Sequence, residues 1–244
     1  MLKSLKTFSI YSAAVFLALV LISTAAAAQQ DTANQAREAY YQEDYEEAEN
    51  LWLELDDTPG YVWEANFFLG MTYLRMEEYG KAVKHMEAAV GERPEDYTTL
   101  VNYARALYND GRIEEARRAL MDVPSSLRNY DEQFYNVRGL LAMGEDDLER
   151  AIRNFELALD INAKNPYLQN NIGLALIRSE DYERAIEHLE EAAAQDPDEA
   201  YIYNNLGFSY LMQNEVENAI KNFEKALEID PDHQGARTNL DNLR

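Results

Sequence analysis

The chain has 244 residues, 47% of them hydrophobic, which is enough for a sizeable core. Its 45 acids against 22 lysines and arginines leave a net charge of −23, so nucleic-acid phosphates and anionic lipid headgroups are repelled as partners, and on exposed helix faces the same acids serve solubility. The absence of cysteine excludes a disulfide, a zinc–thiolate site and a thiol nucleophile, while only 10 glycines and 6 prolines amid plentiful Ala, Leu and Glu favour helix over strand.

The first 28 residues read as a targeting segment. Lys3 and Lys6 precede an uncharged apolar run from Phe8 to Ile22, and Ser23 to Ala28 is rich in small residues. Ala26-Ala27-Ala28 before Gln29 fits a signal-peptidase site, which predicts a signal peptide over 1–28 and export, to a periplasm in a bacterium. The alternative is an uncleaved inner-membrane anchor, because Phe8 to Ala28 is nearly long enough to span a bilayer; membrane contact would then be through this leader alone. No cysteine follows the run, so a lipid-anchored lipoprotein is excluded.

From Gln29 onward the chain repeats itself. "NNIGLAL" (Asn170 to Leu176) returns as "NNLGFSY" (Asn204 to Tyr210) 34 residues later, and the interval extends along the chain. The eighth position of each repeat is small: Ala36, Gly70, Ala104, Gly139, Gly173 and Gly207. Alanine stands twelve residues further on, at Ala48, Ala82, Ala116, Ala151, Ala185 and Ala219. Four residues later comes a large apolar side chain: Trp52, Met86, Leu120, Phe155, Leu189 and Phe223. The repeats are 29–62, 63–96, 97–131, 132–165, 166–199 and 200–233. Within each, apolar residues recur at steps of three and four, as one face of a helix requires. Two helices that approach closely through the small positions, with Pro94, Pro197 and Pro231 stopping the second helix, account for the pattern.

One irregularity stands in the third repeat. It carries an extra residue, and "MDVPSSLRNYD" (Met121 to Asp131) predicts that its second helix ends near Val123. A change of superhelical angle is expected between 29–131 and 132–233, with a true domain break as the alternative. Residues 234–244 read as a capping helix, with Ala236, Leu240 and Leu243 on one face and polar residues on the other.

The pattern resembles the tetratricopeptide repeat, a 34-residue helix–turn–helix unit. Repeat six carries it most fully, in Tyr203, Leu206, Gly207, Tyr210, Ala219, Phe223, Ala226 and Pro231. Repeat one departs from it, with Thr32 and Gln35 where large apolar residues are usual. With its leader the chain is similar to exported bacterial members of the family. The resemblance implies an all-α, right-handed superhelical solenoid of helix–turn–helix repeats with a C-terminal capping helix.

Catalytic signatures are missing. No glycine-rich phosphate loop, H-E-x-x-H pair or G-x-S-x-G elbow occurs, and His85 and His188 lie three repeats apart, too far to share a metal. Acid pairs such as Glu46-Glu47 and Glu114-Glu115 are expected on helix starts or exposed faces, as solvated carboxylates unsuited to general-acid work. The expectation is a protein that is not an enzyme, with no cofactor, no metal and no small-molecule substrate.

What remains is the groove the resemblance implies, lined by positions 2, 5, 9, 12 and 13 of each first helix. Those positions hold one acid, Glu64, and four arginines, Arg37, Arg75, Arg105 and Arg178, where a proportional share of acids would be about six. Charge exclusion by packing between helices explains the missing acids equally well, though not the arginines. Asn136, Asn170 and Asn204 share the fifth position of successive repeats. As in some family members, such a row can hydrogen-bond an extended peptide backbone; contact with the neighbouring repeat accounts for it equally well. Asn102, Asn171 and Asn205 at the next position are read as contacts to neighbouring repeats. Leu140, Leu174, Phe208 and Leu211, with Tyr167 and Tyr201, would receive the partner's side chains. The expected function is a scaffold of the cell envelope that binds a partner protein or peptide in this groove, in an envelope or secretion assembly. The alternative is a holdase-like chaperone or carrier for exported clients.

Overall fold

A computed structural model describes residues 23–126 and 131–243. Most of the expected signal peptide therefore lies outside the described residues, and its last six positions, 23–28, are helical and exposed. Among the described residues there are thirteen helices and no strand. No described helix is long and apolar enough to cross a membrane.

The chain divides between Asp110 and Gly111 into two compact units. The first holds α1 (23–41), α2 (Tyr45–Leu53), α3 (Val62–Arg75), α4 (Tyr79–Glu92) and α5 (Tyr97–Asn109). The second holds α6 (Ile113–Asp122), α7 (Glu132–Gly144), α8 (Leu148–Ile161), α9 (Pro166–Arg178), α10 (Tyr182–Gln195), α11 (Ala200–Met212), α12 (Val216–Ile229) and α13 (Gln234–Asp241). The division falls at the turn inside the third repeat, ahead of the Met121–Asp131 irregularity. As expected, α6 stops at Asp122, and Val123 before Pro124 is extended.

Local chemistry sets the helix ends. Asp44, Asp96, Asp131, Asp147 and Asp181 each accept a hydrogen bond on a side-chain oxygen from a first-turn N–H, satisfying a donor that has no intrahelical partner. Asn165 does the same for α9, whose first residue is Pro166. Between the paired helices, one residue of each turn takes the left-handed conformation: Glu43, Glu77, Asp146, Glu180 and Asn214, with φ of 60–63°. Only the third repeat places glycine there, at Gly111 with φ 78°.

The small positions work as the repeat pattern demands. A Cβ on Gly139 would stand 2.4 Å from the Phe155 ring, and one on Gly207 would stand 2.6 Å from Phe223. Gly70 against Met86 and Gly173 against Leu189 are equally close. In these four repeats the large side chain of the second helix thus lies directly on the eighth position of its own first helix. The alanines at 48, 82, 116, 151, 185 and 219 are all fully buried. In the second unit these residues build one continuous core from Ala142 to Leu206, and a further cluster around Phe223 is closed by Ala236 and Leu240 of α13. The C-terminal segment is therefore a capping helix with a buried apolar face.

α2 ends earlier than the 34-residue period implies. It stops at Leu53, and the chain turns through Thr58-Pro59-Gly60, with Gly60 at φ 93°, before α3 begins. Proline followed by a left-handed glycine is a turn signal.

Candidate functional site

The first helices of the repeats, α7, α9 and α11, carry the asparagine row of the second unit. Its members do not stand free. The Nδ2 of Asn171 donates to Oδ1 of Asn136 at 3.2 Å, Asn205 donates to Asn170 at 3.0 Å, and Asn239 of the cap donates to Asn204 at 3.2 Å. Each fifth-position amide therefore accepts from the sixth position of the next repeat, which confirms the neighbour-contact reading for Asn171 and Asn205. Asn102 differs, donating instead to the Thr98 carbonyl of its own helix. The consequence is chemical: the carbonyls of Asn136, Asn170 and Asn204 each already accept one hydrogen bond from a neighbour, so what the row offers a ligand first is N–H donors. Asn204 also donates to Asn205 at 3.5 Å, so Asn136 and Asn170 have the most to give. Asn170 is buried, whereas Asn136 and Asn204 are partly exposed.

Apolar positions flank that row. Leu140 and Leu174 are partly exposed and pack onto the core beneath them, as Phe208 and Leu211 do on the cluster closed by the cap. Phe208 also meets Tyr182 edge-on at 6.5 Å. Tyr167 is 50% exposed. Tyr201 is half-buried, and its hydroxyl is shut off from solvent without a hydrogen-bond partner. Burial, with Glu199 nearby, raises the Tyr201 pKa far above the usual phenol range.

The four arginines divide three to one. Arg37 pairs with Glu64 at 3.2 Å, so the single inward acid is neutralised. Arg178 donates to the Met143 carbonyl at 2.8 Å and to Asp146 at 2.7 Å. Arg75 donates to the Tyr45 hydroxyl at 3.0 Å and stands 3.7 Å from Glu43. Arg75 and Arg178 occupy the same repeat position, and each reaches the left-handed turn residue of the preceding repeat. These side chains tie repeat to repeat, a role that sequence reasoning missed. Arg105 is the exception: its one recorded polar contact is the sulfur of Met71 at 3.6 Å. Its Nε is shut off from solvent with no partner, and burial, then the neighbouring Arg75, push its pKa down.

The histidines pack against neighbouring polar groups. His85 is buried and its Nδ1 lies 2.9 Å from Asn66 Oδ1; His188 stands likewise 2.7 Å from Gln169 Oε1. Asn66 Nδ2 is committed to the Val62 carbonyl, so its oxygen faces the ring and His85 Nδ1 carries the proton. His233 caps α13, accepting from Ala236 N.

Two cavities lie elsewhere. One of about 430 Å³ is lined by Arg117, Met121, Phe134, Arg138, Glu145 and Arg150, among others, and another of about 530 Å³ lies beside Tyr203, Tyr210 and Lys221. None of the thirteen residues expected to line the groove borders either one. An open helix face encloses no volume, so a surface suited to an extended peptide need not register as a hollow.

The comparisons with known proteins agree with this architecture. No curated protein matches the sequence. Among solved structures, PilF of Pseudomonas aeruginosa is similar at a TM-score of 0.67 and 16% identity, over 86% of this chain and 95% of that one. MamA of Desulfovibrio magneticus RS-1 is similar at 0.56 and 20% identity, over 70% and 97%. YrrB, described as a TPR protein with an unusual peptide-binding site, is similar at 0.52 and 16%, over 77% and 96%. At such identities the likeness is one of fold. Three tetratricopeptide-repeat models match residues 73–141, 132–165 and 170–233, taking in most of the helical repeats described above. The chain belongs to the tetratricopeptide-repeat family.

Proposed function

We propose that the chain is a non-enzymatic interaction module of the cell envelope, exported through residues 1–28, that holds an extended segment of a partner protein against its first-helix face in an envelope or secretion assembly. The observation that carries this reading is the state of the asparagine row. With each carbonyl held by the next repeat, Asn136 and Asn170 keep Nδ2 donors for the carbonyl oxygens of a peptide backbone, beside Leu140, Leu174 and Phe208 for its side chains. A backbone read in this way sets position and register without demanding a particular sequence. YrrB offers a family precedent for peptide binding.

The test follows from the same geometry. Alanine at these positions would remove an inter-repeat bond together with the donor, confusing stability with binding. Asn136→Asp with Asn170→Asp keeps an acceptor for Asn171 and Asn205, removes the donors and adds a carboxylate at each position, of which the one at 170 is buried. Partner capture, read by crosslinking in the native envelope and mass spectrometry, is expected to fall about tenfold or more, the scale of losing two peptide hydrogen bonds. Circular dichroism should stay near that of the parent, and Asn136→Asp alone, at a partly exposed position, should also keep the melting temperature and lose part of the capture. Undiminished capture would remove the row from the binding surface. The same spectra show whether the chain begins at Gln29. One or two stoichiometric partners fit the scaffold, whereas many weak unfolded clients fit a holdase.

A further inference from the structure

Resting on the reading of the chain as an interaction module, we infer that the first compact unit has a binding site of its own, in which Arg105 takes the side-chain carboxylate of an aspartate or glutamate of a partner protein. A guanidinium stays charged at any physiological pH, and taking it out of water without a counter-charge is costly. Buried charges in proteins are accordingly paired. Arg105 is not: its polar contact is the Met71 sulfur, and its Nε is shut off from solvent with no hydrogen-bond partner. Besides burial, the neighbours that perturb it are Tyr40 and Arg75. A second cation beside it makes the deficit larger. The chain has 45 acids to choose from and has put none of them here, while supplying one to Arg37, Arg75 and Arg178.

The surroundings describe the rest of the ligand. The Arg105 side chain is partly exposed, so an incoming group can reach it. Tyr40 interacts electrostatically with both arginines, and its ring lies 5.5 Å from both Tyr41 and Phe68. Tyr41 is 72% exposed, and Phe67 meets Phe68 edge-on at 5.5 Å. Burial raises the Tyr40 pKa and the two arginines oppose that rise, which keeps the phenol protonated as a donor. Guanidinium and hydroxyl donors beside aromatic rings suit an acidic residue next to an aromatic or aliphatic one. An uncharged peptide would leave the cation uncompensated.

The experiment pans the full chain against a random twelve-residue peptide library displayed by its C-terminal end, so that no free terminal carboxylate is present. Beside it run the Arg105→Met variant, which keeps the stem and loses the charge, and Arg178→Met, whose arginine is already partnered. We expect the parent to enrich peptides with Asp or Glu next to an apolar residue. Arg105→Met should bind those peptides about tenfold or more weakly, as for loss of one partner of a buried charge pair, with a melting temperature unchanged or higher. Arg178→Met should melt lower and keep the acid preference. Enrichment without acids, or acids retained by Arg105→Met, overturns the inference and leaves the peptide-binding face standing. A lower melting temperature for Arg105→Met also overturns it, because the charge would then be compensated within the fold. Binding only by synthetic peptides with a free C-terminus does so as well. If no peptide is enriched by any protein, the proposed function fails and the inference with it.

Discussion

At the scale of single residues, the histidines show how burial changes chemistry. In the folded chain His85 is held neutral by desolvation, with Lys84 adding to the effect, and His188 by desolvation with Arg184. A His pKa depressed by folding means that the unfolded chain binds more protons below its ordinary pKa of about 6.5. Stability is therefore fully present above that pH, falls as the pH drops from there toward the depressed folded values, and levels off below them. The urea midpoint should be flat above about pH 7 and decline below about 6.5, and His85→Gln should flatten part of that decline. A midpoint unchanged down to pH 5 would contradict the assigned state of the ring. Sequence spacing placed both histidines correctly in their repeats, but not against the amides of Asn66 and Gln169. That proximity comes from the packing of α4 on α3 and of α10 on α9.

At the scale of elements, the turns hold unused stability. Glu180 sits in the left-handed region with φ 63°, exposed, between α9 and α10. A Cβ in that region crowds the following carbonyl, and glycine relieves the crowding at some cost in unfolded-state entropy. Glu180→Gly should therefore raise stability by about 0.5–1 kcal/mol, seen as a higher urea midpoint at unchanged slope. Glu43 and Asp146 are different, because arginines of the next repeat reach them. Legibility also varied between elements. The early stop of α6 followed from Pro124. The equally early stop of α2 was signalled by Pro59-Gly60, but a strict period of 34 residues hides it.

At the scale of the whole molecule, each repeat depends on its neighbour. Phe223 and Ala226 of α12 are buried in part by α13, whose Asn239 supplies the last link of the amide row. Deleting residues 234–244 uncovers that cluster and removes the burial of Ala236 and Leu240. The cost should be about 2–4 kcal/mol at ~25 cal/mol/Å², measured by urea unfolding, with helicity lost first at the C-terminal end. The sequence by itself determined the helix pairs, their small and large contact positions and the capping helix. Those depend on spacing along one chain, and spacing is written in the residues. Only tertiary structure decided which polar groups meet across repeats: the amide links, the arginine ties to left-handed turns, and the lone guanidinium of Arg105. Side-chain reach over some 34 residues of separation is a property of how helices stack, and the arginines look alike in sequence whether a carboxylate awaits them or not.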